Sequence, residues 1–171
     1  MLTYRKSESL EIEGYSDSDF AGDADDKKFM FGHIFTLPKG AISWKSSKQS
    51  VTASSTMYAK FVAWYEASGQ VTWLKKFVPG LRVVDSIERP LKLYCDNEPA
   101  VFYAHNNKSS GAAKHIDIKF YIVKKQVQDQ IICLEHIRTN KMLADPLTKG
   151  LQPNVFREHL AYNSWTKRAL E

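Results

Sequence analysis

Cysteine is scarce in this sequence, with two residues among 171, and this excludes a fold held together by several disulfides. No apolar run approaches the roughly 20 residues that a membrane-spanning helix needs. The first eight residues lack the apolar stretch of a secretory signal peptide. We therefore expect a protein without a membrane span that resides in the cytoplasm or the nucleus.

The sequence also lacks internal repeats and low-complexity tracts. With 43% hydrophobic and 25% charged residues it has the composition of an ordinary globular protein, and its length suits one domain. Basic residues outnumber acidic ones to give a net charge of +5, which is compatible with a polyanionic partner such as nucleic acid. The composition does not fix the oligomeric state.

Strand and helix patterns follow one another in the order βββαβααβα. Alternating or apolar runs predict strands at about 9–17, 29–37, 41–45, 91–96 and 131–137. Aromatic and aliphatic residues at helical spacing predict a long helix from Thr56 to Phe77, ended by Pro79 and Gly80. Two shorter helices are predicted at about 99–106 and 116–128. This order predicts an α/β domain with a mixed sheet.

Three aspartates stand at the ends of predicted strands or in a late loop: Asp17 in "YSDSD", Asp96 in "LYCDN" and Asp145 in "LADPL". A buried carboxylate without a partner costs several kcal/mol, on the order of 3–5. Acids that converge from distant parts of a chain form the all-oxygen sites that Mg²⁺ and Mn²⁺ prefer. Spacing alone leaves a second interpretation open, in which each acid is a turn former or a helix cap.

Several ordered motifs carry a family resemblance: "GYSDSDFAGD", "GAISWKSSKQSVTASST", "LKLYCDN", "KHIDIKF" and "IICLEHIRTNKMLADPLTKGL". Over residues 11–152 the sequence resembles the ribonuclease H domain at the C-terminal end of plant Ty1/copia-type retrotransposon polyproteins. The resemblance implies a ribonuclease H-like fold, a five-stranded mixed sheet with helices on both faces. It implies a domain at 9–152, with an N-terminal extension at 1–8 and a C-terminal helical tail at 153–171.

The resemblance also implies an activity, metal-dependent hydrolysis of the RNA strand in a duplex. Carried over by motif, the catalytic carboxylates and ligands of Mg²⁺ or Mn²⁺ are Asp17, Asp96 and Asp145. Asp19 shares a strand face with Asp17 by the period-two rule, so it is a candidate neighbour of the metal site or a solvated turn acid. Because no reverse transcriptase, protease or integrase segment accompanies this domain, we expect a host-domesticated gene or an element fragment.

The resemblance implies four carboxylates at the metal site, and the sequence departs from the family pattern at the second of them, the one on the first helix. Relatives read Met-Glu-Ala-Glu at the start of the long helix, whereas this chain reads "MYAK" and places Lys60 at the second glutamate. An ammonium there repels a divalent ion by about 4 kcal/mol per unit charge pair at 4 Å. Two interpretations stay open: a ribonuclease in which Lys60 neutralises substrate phosphate, or a catalytically inactive nucleic-acid-binding domain. We favour the ribonuclease because three of the four acids remain.

The resemblance also indicates how a duplex is held. Ser54, Ser55 and Thr56 match the helix-start segment that reads 2′-hydroxyls in the minor groove, although helix capping alone explains them too. Lys45 and Lys48 resemble a phosphate-facing loop, with a solvated hairpin end as the alternative. The expected partner is a nucleic-acid duplex, either an RNA/DNA hybrid or double-stranded RNA.

Overall fold

The computed structural model describes residues 11–20, 29–37, 40–49, 55–80, 90–106 and 114–162. The strands are β1 (Glu13–Phe20), β2 (Phe29–Leu37), β3 (Gly40–Lys48), β4 (Leu91–Cys95) and β5 (Ile132–His136). The helices are α1 (Thr56–Gly80), α2 (Glu98–His105), α3 (Lys114–Gln128), α4 (Asp145–Thr148) and α5 (Pro153–Tyr162), with a 3₁₀ turn at Thr139–Lys141.

The five strands form one mixed sheet in the order β3-β2-β1-β4-β5. Strands β1, β2 and β3 are consecutive and antiparallel, whereas β4 and β5 run parallel to β1. The parallel strands need long crossovers, which the helices between them supply. The predicted α/β fold with a mixed sheet is confirmed.

The main hydrophobic core lies between one face of the sheet and helices α1, α2 and α3. Phe35, Leu93 and Trp64 are fully buried in it. A smaller cluster on the opposite face joins Tyr15 and Ile34 to the following buried residues of the segment before α4: Met142, Leu143 and Ala144. Helices or helical turns therefore cover both faces of the sheet, as the resemblance implied.

Helix α1 is buried around its whole circumference near its start. Residues 58–64 are all buried, and Lys60 is the charged residue among them. A helix that is apolar all round belongs in a core, so a charge at this depth needs compensation from its neighbours. The helix runs to Gly80, three residues beyond the predicted end at Phe77, and accommodates Pro79 in its last turn.

Strand β1 also extends further than predicted, to Phe20 rather than about residue 17. Its pairing with β2 continues from Glu13 opposite Thr36 to Phe20 opposite Phe29. Asp17 and Asp19 therefore lie inside a strand and not at its end. Strand β1 is this long because it stays paired with β2. The pattern of residues 9–17 alone contains no information on that pairing.

Some predictions fall outside the described residues. The extension at 1–8 and Ser54 are among them. Helix α5 begins at Pro153, while the helical tail at 153–171 and the domain limits stay predictions. Among the described residues no helix is long and apolar enough to cross a membrane.

Candidate active site

Strand pairing brings Asp17 and Asp96 to the same edge of the sheet. The parallel pairing of β1 with β4 covers Glu13–Tyr15 and ends with Tyr15 opposite Tyr94. Asp17 and Asp96 each come two residues after that last pair. Because the carboxyl ends of parallel strands meet at one edge, the two side chains lie at equivalent positions beyond the part of β1 that pairs with β4.

Helix α4 brings the third aspartate over the same edge. Asp145 is its first residue and is 4% exposed. The helix lies close to β2, where an added Cβ at Gly32 meets Leu147 Cβ at 2.7 Å and Thr148 Cγ2 at 3.0 Å. Gly32 is also the residue opposite Asp17 in β2. The absence of a side chain at Gly32 therefore lets α4 approach Asp17.

The three carboxylates converge as the sequence predicted. Asp17, Asp96 and Asp145 each offer an oxygen atom within 4.8 Å of the others. Asp17 is fully buried, and Asp96 is partly exposed. In the part of the chain that the structure describes, the converging carboxylates do not include Asp19, which lies further along β1 opposite Met30.

Lys60 points into this cluster from α1. Its ammonium group makes a short ion pair with Asp17 Oδ1 and lies 2.9 Å from Asp96 Oδ1. The residue is 5% exposed. The sequence left open whether this side chain enters the site or swings away, and the structure shows that it enters. Its predicted contact with substrate phosphate stays a prediction.

Lys149 and Thr148 complete the cluster, and sequence reasoning did not select them. Lys149 Nζ lies 2.9 Å from Asp145 Oδ1, 3.3 Å from Asp17 Oδ2 and 4.0 Å from Asp96 Oδ2. The Thr148 hydroxyl donates to Asp17 Oδ2 at 2.6 Å. The available signal was the spacing of four residues between Asp145 and Lys149, which places both on one side of a helical turn.

The lysines change the protonation of the cluster. Burial alone raises the pKa of Asp17, but the ammonium groups of Lys60 and Lys149 outweigh burial and lower it below its ordinary value of 3.8. Burial acts to lower the pKa of Lys60, but Asp17 and Asp96 outweigh it and raise it above its ordinary value of 10.5. Asp17 is therefore ionised and Lys60 protonated at neutral pH.

Asp145 differs from Asp17. Burial raises its pKa above the ordinary value of 3.8, and the nearby carboxylates of Asp17 and Asp96 act in the same direction, while Lys149 opposes them. For Lys149 itself, burial acts to lower the pKa, but the three carboxylates raise it. Asp145 is thus less strongly held in its ionised form by its neighbours than Asp17 is.

The donor set suits a divalent cation in part. Three converging carboxylates are the ligands that Mg²⁺ and Mn²⁺ take. Both oxygens of Asp17 already accept contacts from Lys60, Lys149 or Thr148. Among the described residues the set therefore fits a single ion held by these three aspartates once Lys60 has withdrawn.

The helix-start residues are placed at the surface. Ser55 and Thr56 are exposed, and Ser55 Oγ accepts a hydrogen bond from the backbone N–H of Tyr58 at 3.2 Å. Ser55 therefore caps α1, as one of the two interpretations held. Capping leaves its exposed side available to a ligand, so a role in duplex binding stays a prediction.

The predicted phosphate contacts lie on β3, an edge strand. Lys45 and Lys48 are exposed, and Trp44, which precedes Lys45 in the sequence, is 57% exposed. Lys45 forms a surface ion pair with Glu66 at 3.9 Å, a geometry that contributes little to stability. Ser46 donates to the carbonyl of Leu147 at 2.6 Å and so joins this strand to α4.

The fold of this chain is of the RNase H-like class. Its structure superposes on LC11-RNase H1, a protein isolated from compost by a metagenomic approach and crystallised with an RNA/DNA hybrid, with a TM-score of 0.57. The two share 18% sequence identity, and the match covers 81% of this chain and 94% of that one. No family model matches the sequence.

Sequence comparison finds relatives of the chain among plant retrotransposon proteins. It is 35% identical over 145 residues to the retrovirus-related Pol polyprotein from transposon TNT 1-94 of Nicotiana tabacum. It is 33% identical over 153 residues to that from transposon RE1 of Arabidopsis thaliana. These matches cover 85% and 90% of this chain but only 11% and 10% of the polyproteins. The chain is homologous to the RNase H-like segment of plant Ty1/copia-type Pol polyproteins.

Proposed function

We propose that this chain is an RNase H-type nuclease domain that cleaves RNA within a duplex, using Asp17, Asp96 and Asp145. The observation that supports it is the convergence of these three carboxylates at one sheet edge. Its homology to Pol polyproteins and its RNase H-like fold favour the same activity. An RNA/DNA hybrid is the first candidate substrate, since LC11-RNase H1 was crystallised with one, and double-stranded RNA is the second.

The proposed cofactor is Mg²⁺ or Mn²⁺. An ion held by the three aspartates would polarise the scissile phosphate and make water a better nucleophile. Asp17 is held in its ionised form by Lys60 and Lys149, and Thr148 fixes its orientation. Thr148 and Asp145 belong to the same short helix, so the hydroxyl and the third carboxylate are positioned together.

The proposed duplex contacts lie on β3 and at the start of α1. The exposed side chains of Trp44, Lys45 and Lys48 on β3 offer an aromatic surface and two positive charges. Ser55 and Thr56 offer hydroxyls at the exposed start of α1. Such a mixture of basic and small polar groups suits the phosphates and 2′-hydroxyls of an A-like duplex. A nucleic-acid duplex is a partner that the cytoplasm and the nucleus both contain, and we propose one of these as the location of the protein.

A cleavage assay tests the proposal. We expect the full chain with Mn²⁺ to cut the RNA strand of a labelled hybrid or of double-stranded RNA and to leave double-stranded DNA intact. Asp96→Asn should abolish cleavage while leaving duplex binding in place. Cleavage that persists in Asp96→Asn contradicts the assigned reaction centre.

A second candidate is a domain that binds a duplex without cutting it. The observation that favours it is the pair of contacts from Lys60 to Asp17 and Asp96, since these occupy oxygens that an ion needs. In that case wild-type protein binds the labelled hybrid with a steep salt dependence but shows no cleavage with Mn²⁺. Detectable Asp96-dependent cleavage by wild-type protein rejects this candidate.

A further inference from the structure

We infer that Lys60 and Lys149 serve as built-in cations that hold the three aspartates together without a metal, and that Lys60 must leave before a divalent ion can bind Asp17 and Asp96. This inference deepens the proposed function and rests on it only in taking these aspartates as the reaction centre. It concerns how the site is kept assembled and what controls entry of the ion.

The three aspartates already have cationic partners for their carboxylate oxygens. Asp17 Oδ1 contacts the Lys60 ammonium, and Asp17 Oδ2 accepts from Thr148 and lies 3.3 Å from Lys149 Nζ. Asp96 Oδ1 lies 2.9 Å from Lys60 Nζ, and Asp145 Oδ1 lies 2.9 Å from Lys149 Nζ. Each carboxylate thus already has a positively charged neighbour at hydrogen-bond distance.

Burial makes Lys60 the controlling group. Its side chain is 6% exposed and comes from the part of α1 that is buried all round. An ammonium at this depth is stable only against counter-charges, and among the described residues its ion-pair partners are Asp17 and Asp96. Withdrawal of Lys60 therefore needs both a new neighbour for the aspartates and a route to solvent for the ammonium.

Lys149 is held less firmly. Its side chain is 24% exposed and follows the last residue of the short helix α4. It can move toward solvent while Asp145 stays in place, because its long flexible stem keeps the ammonium mobile. Entry of an ion is therefore controlled mainly by Lys60.

The net charge of the cluster also indicates that Lys60 leaves before an ion binds. Three carboxylates face two ammonium groups, so an approaching divalent ion meets a weakly negative cluster and repulsion from both lysines. A glutamate at position 60 would remove one positive charge and add a carboxylate beside Asp17 and Asp96. The site of Lys60→Glu would then depend on an ion for charge balance, whereas the wild-type site does not.

Thermal melting and calorimetry of the full chain with Mn²⁺ test this inference. The variants are Lys60→Glu, the neutral Lys60→Gln, and Lys76→Glu, which makes the same charge change at an exposed position of the same helix. In EDTA we expect wild-type and Lys76→Glu proteins to melt together and both position-60 variants to melt lower.

Mn²⁺ should separate the variants. We expect Lys60→Glu to gain a rise of about 5–10 °C in melting temperature at 100-fold excess over its dissociation constant. Wild-type and Lys76→Glu proteins should show at least about tenfold weaker Mn²⁺ binding in calorimetry. The Mn²⁺ affinity of Lys60→Gln should lie between those of Lys60→Glu and wild-type protein. The test therefore does not depend on the folding of one variant.

Two outcomes overturn the inference. One is tight one-to-one Mn²⁺ binding by wild-type protein that Asp17→Asn removes. The other is equal affinity of wild-type and both position-60 variants. Neither outcome decides whether the protein is a nuclease, since the wild-type protein and its variants can still be assayed for cleavage. Conversely, a gain of Mn²⁺ binding in Lys60→Glu without cleavage of any duplex supports the inference while the proposed nuclease activity fails.

Discussion

Helix α1 contributes to two buried regions that are stabilised in different ways. Trp64 and Leu74 pack into the apolar core between the helix and the sheet, where contacts are many and non-directional. Lys60 is also buried but is stabilised by ion pairs with two aspartates. The apolar region therefore tolerates replacements that conserve volume, whereas the charged cluster does not tolerate the loss of one member.

The largest expected effect comes from Lys60→Met. It leaves Asp17 buried without its main counter-charge, and breaking a buried ion pair on one side costs about 3–5 kcal/mol. We expect that loss in the free energy of unfolding measured with urea. The double variant Lys60→Met with Asp17→Asn should recover a large part of it. A double variant no more stable than Lys60→Met alone would contradict the account of the cluster.

Gly32→Ala should have the next largest effect. The new Cβ meets Leu147 Cβ at 2.7 Å, so α4 must move away from β2. Overpacking of this kind costs about 1–3 kcal/mol. Gly69→Ala is the control, since nothing lies within 4 Å of a Cβ there, and it should be neutral or stabilising. Equal unfolding free energies of the two variants would show that α4 does not depend on close approach to β2.

Acid pH separates the two regions because only the charged one titrates. The pKa of Asp17 is lower in the folded protein than its ordinary value of 3.8, so its contribution to stability is complete above about pH 4. That contribution is lost as pH falls further, by up to about 1.4 kcal/mol per pH unit. The raised pKa of Asp145 acts in the opposite direction, because its folded form gains stability on protonation.

Chemical denaturation across the acid range measures this dependence. We expect the unfolding free energy of wild-type protein to fall more steeply below pH 4 than that of Asp17→Asn, which lacks the titrating group. Parallel curves for the two proteins would show that Asp17 is not held in its ionised form by the lysines.

The smallest expected effect is that of Leu74→Met in the apolar region. Leu74 is 1% exposed, but the replacement conserves volume and introduces no charge, so it should cost less than about 1.5 kcal/mol. The same incoming residue as in Lys60→Met makes the two variants a matched pair. Urea unfolding of both in one buffer compares the regions directly, and a larger loss for Leu74→Met would reverse the comparison.

Sequence patterns predicted most of the fold. Alternation and helical spacing located the five strands and helices α1, α2 and α3, because each element buries one repeating set of residues. The predicted end of β1 was wrong, because Asp17 and Asp19 are residues typical of turns. Only their pairing with Gly32 and Met30 of β2 keeps them in the strand. Local pattern does not contain that long-range partner.

The candidate site was predicted in part. The resemblance selected Asp17, Asp96 and Asp145, and the structure brings them together. The orientation of Lys60 could not be predicted, because a long lysine side chain at a helix start can extend to solvent or fold inward. Lys149 was missed since its place beside Gly150 reads as an exposed loop, and only the approach of α4 to β1 turns it inward.

The central claim is that Asp17, Asp96 and Asp145 form a reaction centre that Lys60 keeps closed to a divalent ion. The most direct measurement is the initial rate at which Lys60→Glu cleaves a labelled RNA/DNA hybrid with Mn²⁺, compared with wild-type protein. The account predicts a rise of at least about tenfold, or about 1.4 kcal/mol in activation free energy, that disappears when Asp96→Asn is added. An unchanged rate, or a rise that survives Asp96→Asn, would contradict it.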